Sequence, residues 1–446
     1  YPIFFKEDHI YKVYGSIPTN FEVMGSATLG VAAGSDRSLA IAGEILFYHS
    51  RAGIMAYSGG IPQPVGAAFE FEDSDTIESV FNGTTPGFTY TRVGNPTVDF
   101  FERKLKNISK AKYALAFASG MAAISNTVMT IASAGDNIVS SKYLFGHTYS
   151  LFAKTFAGFG VEVKAVDFCD LDAVRGAIDK NTRALFFETI TNPQLEIADI
   201  EALRSLADEH GILLIADTTM TPPYLSDGEA LGLDLEVIST TKFISGGATS
   251  VGGAVLDYGT YEWAKNPSLR EWAHKFGSGA FFNRLKKEVF RNLGAAISPH
   301  NAYLQSLGLE TMALRADKCC INTLMLAKWL KTNEKVVAVN YPGLDDNRFF
   351  MLAEKQFRYP SSVLTFDLGS KEACFSFMNA LKIARRSTNL CDNKTLVIHP
   401  HSTIYSEYSE GQKADMKVTD GVIRVSVGIE DIEDLLEDFS TALGLI

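Results

Sequence analysis

The chain is 446 residues long and 46% hydrophobic, enough for about two or three domains with substantial cores. Its 41 basic against 52 acidic residues leave a net charge of −11, and no basic block tracks a phosphate backbone, which excludes nucleic acid as an expected partner. No apolar run reaches the ~18 residues of a membrane span. Five cysteines (Cys169, Cys319, Cys320, Cys374 and Cys391) without CxxC or Cys/His spacing argue for a reducing cytoplasm, no disulfide framework and no metal site.

Residues 1 to 75 read as an irregular amino-terminal arm with little core of its own, because glycines at 15, 25, 30, 34, 43, 53, 59 and 60 punctuate weakly periodic apolar residues. The first residue is Tyr1 rather than methionine, so we expect a start inside a longer reading frame or after processing. From about 98 to 245 two patterns alternate. Residues 100–107, 121–133, 170–178 and 198–210 carry helical spacing, whereas 113–117, 137–140, 161–166, 182–188, 212–216 and the run from 237 are apolar strands. This alternation predicts βαβ units and a mostly parallel sheet covered on both faces, with ligands at the carboxyl ends of its strands. A long helix over 301–331, broken near Gly308, comes next. Strands at 336–340, 362–368 and 422–427 and helices at 371–381 and 432–443 then read as a smaller α+β domain. The expected division is an arm at 1–75, a large domain at 76–310 and a small domain at 311–446.

The chemistry gathers at strand exits. Lys242 follows the apolar run that ends in Ser239, Thr240 and Thr241 and precedes a glycine turn; a lysine losing hydration there favours its neutral amine and is a candidate Schiff-base former. Ser239 and Thr241 are hydroxyl donors suited to a phosphate. Ser119, Gly120 and Met121 open a helix directly after strand 113–117, and free amides at a helix start suit the same phosphate. Asp217 stands at the exit of strand 212–216, where a carboxylate suits a heteroaromatic nitrogen. Glu188 and Asn192 follow strand 182–188 in the same way. A lysine, an acid and a phosphate cup on one sheet edge form the set that pyridoxal 5'-phosphate requires.

The segments 90–97 (Tyr-Thr-Arg-Val-Gly-Asn-Pro-Thr), 119–121, 188–193, 217–219 and 239–242 resemble the cystathionine γ-synthase family of pyridoxal-phosphate enzymes, in order and spacing, over about residues 62 to 446. Within it the chain looks most like the O-acetylhomoserine sulfhydrylases, from the insert between Gly253 and Ser298 and the runs 291–299 and 388–396. The resemblance implies fold type I, the aspartate aminotransferase-like α/β fold, with a large seven-stranded sheet domain and a smaller α+β carboxy-terminal domain. It implies that Lys242 carries the cofactor, Asp217 pairs with its ring nitrogen, Asn192 meets its ring hydroxyl, Phe145 stacks on the ring, and Thr219 lies beside it. Gly120, Met121, Ser239 and Thr241 would hold the phosphate, with Tyr90 and Arg92 reaching it from a neighbouring subunit of a homo-oligomer, a dimer of dimers. Tyr90 is a second acid/base candidate, and Arg424 and Thr395 would bind the amino-acid substrate. Phe145 replaces the tyrosine of the related lyases, which keeps stacking and removes a phenolic proton donor.

The implied reaction joins O-acetyl-L-homoserine and sulfide to give L-homocysteine and acetate. A methionine or cystathionine γ-lyase, a cystathionine γ-synthase, and a cofactor-binding regulatory subunit without turnover stay open as alternatives.

Overall fold

The computed structural model describes residues 3–14, 22–27, 30–42, 45–50, 53–57, 63–64 and 66–446. Tyr1 and the glycines at 15, 43, 59 and 60 lie outside them. The chain divides into two compact units, 1–102 with 296–303 and 103–295 with 304–446.

The first unit corrects the expectation of an irregular arm. Ile3–Phe5, His9–Tyr14 and Glu22–Ala27 form a three-stranded antiparallel sheet, and Ala40–Ala42, Ile45–Ser50, Gly53–Tyr57 and Gln63–Pro64 form a four-stranded one. They share a small core of Ile10, Tyr48, Met55 and Tyr57, against which Phe5 packs with its ring 5.0 Å from that of Tyr48. Two of the glycines that suggested coil, Gly25 and Gly30, are packing positions instead. A Cβ at Gly25 would lie 2.8 Å from the Tyr11 ring, and one at Gly30 would overlap the Lys6 carbonyl. Helix Ser74–Phe81 follows, capped by Asp73, whose carboxylate accepts from the Thr76 amide at 2.6 Å.

The second unit is built on a seven-stranded sheet in the order Glu162–Val166, Asn137–Ser141, Thr182–Glu188, Leu213–Asp217, Leu235–Ile238, Gly253–Asp257, Tyr113–Phe117. All pairs are parallel except the two made by Gly253–Asp257. That strand was not expected, since its five residues open what reads as an insert; its Gly253 is needed because a Cβ there would lie 2.2 Å from the Ser119 carbonyl. Six of the strands are buried nearly throughout, as a sheet covered on both faces requires, while the edge strand Glu162–Val166 has no fully buried residue. Helices end where the sequence allows: Asp199 caps Ile200–His210 through the Ala202 amide, and Gly211 closes it in the left-handed region at φ 64°.

Helix Pro299–Lys331 runs 33 residues without the expected break. Gly308 serves close packing rather than interruption, because a Cβ there would stand 2.1 Å from the Ile244 carbonyl oxygen. A second sheet, ordered Ala338–Asn340, Val363–Asp367, Val422–Ser426, Leu396–Ile398, Arg385–Arg386, is covered by helices Lys371–Ala380 and Ile432–Gly444, whose Phe377 and Phe439 rings meet at 5.3 Å. No helix among the described residues is long and apolar enough to cross a membrane.

Candidate active site

The carboxyl ends of the parallel strands converge because Glu188, Asp217 and Val237 are register partners on three neighbouring strands. Around them lies a cavity of about 310 Å³, lined among others by Gly120, Met121, Phe145, Asn192, Thr219 and Lys242. Asp217, Ser239, Thr241 and Arg424 complete its polar wall, and all of these belong to the second unit.

Ser119 caps helix Gly120–Ile131 by accepting from the Ala122 amide at 3.1 Å, leaving the Gly120 and Met121 amides at the helix start to face the cavity. A Cβ at Gly120 would sit 2.8 Å from the Ser239 Cβ, so only glycine lets this turn lie on the strand exit. The Ser239 amide donates to Thr219 Oγ1 at 2.8 Å, fixing the two hydroxyl segments side by side. Thr241 is partly committed, since its hydroxyl donates to the Gly252 carbonyl at 3.2 Å and accepts from the Gly252 amide at 3.1 Å.

Lys242 lies in the turn that follows strand Leu235–Ile238 and donates from Nζ to Asn389 Oδ1 at 2.6 Å. Burial lowers its ammonium below the usual lysine range, and the Arg424 guanidinium pushes the same way. Asp217 Oδ1 accepts from the Thr219 amide at 2.9 Å, and Glu188 accepts from the Phe145 amide at 2.5 Å and the Asn192 amide at 3.2 Å. Burial raises both carboxyls, and the charge of Asp217 raises Glu188 further. Two buried acids this close hold their charges comfortably only with a cation between them.

Arg424 is 1% exposed on a central strand rather than at a surface edge. Its guanidinium donates to Asn192 Oδ1 at 3.1 Å and to the carbonyls of Thr388 and Asn389 at 3.2 and 3.0 Å. Burial pushes it down to about 10, and its buried Nε has no partner among the described residues. A desolvated guanidinium held by neutral oxygens alone has capacity for a carboxylate.

Two groups of expected residues stand apart. Thr395 does not line the cavity: its hydroxyl donates to Glu430 Oε2 at 2.8 Å and accepts from the Gly428 amide at 2.9 Å, so both capacities are spent on structure. Tyr90 and Arg92 belong to the first unit, where Tyr90 is 45% exposed and the Arg92 guanidinium sits 5.7 Å from its ring centre. Sequence reading assigned no part to Asn389, Thr388, Leu390 or His147. The segment 388–390 lies in the loop between strands Arg385–Arg386 and Leu396–Ile398, and in the sequence it served only as part of the run 388–396 that carried the resemblance, whereas His147 was visible beside Phe145.

A mostly parallel seven-stranded sheet delivering a buried lysine, an acid and a helix start to one cavity defines a fold type I pyridoxal-phosphate enzyme. The chain belongs to the Cys/Met metabolism PLP-dependent enzyme family, whose sequence pattern it matches over residues 58–444. It is similar to a solved O-acetylhomoserine sulfhydrylase of Wolinella succinogenes, at 52% identity and a TM-score of 0.72, covering 78% of this chain and 96% of that one. A putative O-acetylhomoserine (thiol)-lyase of Campylobacter jejuni, solved with a pyridoxyl-lysine monophosphate, gives 33% identity and a TM-score of 0.82 over 85% of this chain and 94% of its own. The L-methionine gamma-lyase of Pseudomonas putida is 34% identical over 87% of this chain and 93% of its own length. The residues present fit the cofactor: the glycine cradle at Gly120 admits a phosphate, and the crowded acids Glu188 and Asp217 suit a protonated ring nitrogen.

Proposed function

We propose that the protein catalyses γ-replacement, converting O-acetyl-L-homoserine and sulfide to L-homocysteine and acetate, the direct sulfhydrylation step of methionine biosynthesis. The observation that carries this reading is Phe145 in the cavity wall. Its ring offers a stacking face and no proton, and acetate departs as a carboxylate that needs none, whereas a thiol leaving group gains from an acid. Bound pyridoxal phosphate supplies an electron sink for a carbanion at the substrate α-carbon.

The chain's own residues do the rest. Arg424 receives the substrate carboxylate, Asp217 keeps a proton on the ring nitrogen, and Asn192 contacts the ring hydroxyl. Thr219 orders Ser239 through its backbone amide, and Ser239, Thr241 and the Gly120 and Met121 amides hold the phosphate. Lys242 binds the cofactor and then moves protons at the α- and β-carbons, a task that its depressed basicity favours. Tyr90 and Arg92 complete the phosphate site of a neighbouring subunit, so that the protein works as a homo-oligomer with shared sites. The Tyr-Thr-Arg-Val-Gly-Asn-Pro-Thr segment and the exposure of Tyr90 support this arrangement.

The similarity to a methionine gamma-lyase favours a second reading, elimination from methionine. Purified holoenzyme assayed with O-acetylhomoserine plus sulfide should yield homocysteine. Release of a ketoacid from methionine, with no homocysteine formed from the ester, would establish the lyase instead.

A further inference from the structure

We propose that His147 is a further catalytic residue, the base that takes the proton from the incoming sulfur nucleophile. The inference rests on the γ-replacement reading. His147 stands on the short helix Gly146–Ser150, lines the same cavity as Lys242 and Arg424, and meets the Phe145 ring edge to face at 5.1 Å and 81°. Where Phe145 offers no proton-transfer group, the imidazole two residues on offers one. The other ionisable groups of the cavity are already engaged: Lys242 with Asn389, Arg424 with Asn192, and Glu188 with the Phe145 and Asn192 amides, while Asp217 accepts from Thr219. From the segment packed on the helix comes Tyr408, whose hydroxyl donates to the Gly146 carbonyl at 3.1 Å.

His147 is also exposed to solvent, which gives a proton taken in the cavity a route to water. The ester Cγ–O bond breaks with its electron pair leaving on acetate. The S–Cγ bond then forms with the sulfur's pair, and the S–H proton passes to His147 and on to water. No co-reactant beyond ester and sulfur donor is required.

The test uses holoenzyme and His147→Gln and His147→Phe variants, mixed first with O-acetylhomoserine and then with sulfide or with an alkanethiol. Hydrogen sulfide is the stronger acid and needs the base less. Turnover with the alkanethiol should fall about 100-fold and with sulfide about 10-fold, in keeping with general-base contributions. The cofactor's spectral change on adding ester alone should keep its rate. Equal losses with the two nucleophiles, a slowed ester stage, or no loss would each overturn the role of His147 while the parent still makes homocysteine. A parent that makes none overturns the γ-replacement reading and this proposal together.

Discussion

Arg424 shows how much a single side chain depends on what it lacks. Its strand pattern, Val-Ile-Arg-Val-Ser, reads from sequence as apolar with one interruption, and nothing local says whether the guanidinium meets water or core. The fold buries it among carbonyl and amide oxygens without a carboxylate, a costly state that a substrate carboxylate relieves. Replacing it by methionine should raise the KM for O-acetylhomoserine by roughly 100-fold, since loss of a buried charge partner costs ~2–5 kcal/mol. The KM for sulfide should stay within a few-fold. Steady-state kinetics with each substrate varied would separate the two, and an equal effect on both would remove Arg424 from the carboxylate site. Thr395 is the opposite case: a hydroxyl in the right stretch of sequence, but claimed by Glu430 once the strands assemble.

At the scale of elements, the strand Leu235–Ile238 carries an acid inward just before the site. Glu236 is fully buried, accepting from Tyr258 at 2.6 Å and from Thr218, the neighbour of Asp217, at 2.8 Å; burial raises it to about 7 from 4.5. The folded state therefore binds its proton more tightly than the unfolded chain does. Stability from this group is fully present below about pH 4.5, is lost as pH rises to about 7, and stays lost above, a change on the order of 3 kcal/mol. Glu236→Gln mimics the protonated acid, so its melting temperature relative to the parent should climb between pH 5 and pH 8.5 by several degrees. A constant difference across that range would show that Glu236 does not titrate with folding. The elements most legible in sequence were those with long, consistent periodicity, such as Thr182–Glu188 and Ile200–His210. Those misread turned on glycine. Gly308 inside a continuous helix and Gly253 at a strand start both make room for backbone that would lie within 3 Å of a Cβ, a contact between distant segments that no local pattern carries.

At the scale of the whole molecule, the proposed sharing of sites between subunits is tested by mixing chains. Lys242→Ala and Arg92→Ala chains should each be nearly inactive as pure oligomers. Random mixing should restore roughly a quarter of parental activity, because half of the dimers are hybrids and each hybrid regains one intact site of two. Failure to recover activity in verified hybrids would place Tyr90 and Arg92 outside the neighbour's site. The mostly parallel sheet, the cofactor and the lysine, acid and helix start that suit it were readable from sequence, because each follows from residue types at the ends of apolar runs. The pairing of Glu188 with Asp217, the parking of Lys242 on Asn389 and the sheets of the first sixty residues were decided only in three dimensions. Each of them depends on strand register and on packing between segments far apart in the chain, and neither quantity is written in local periodicity.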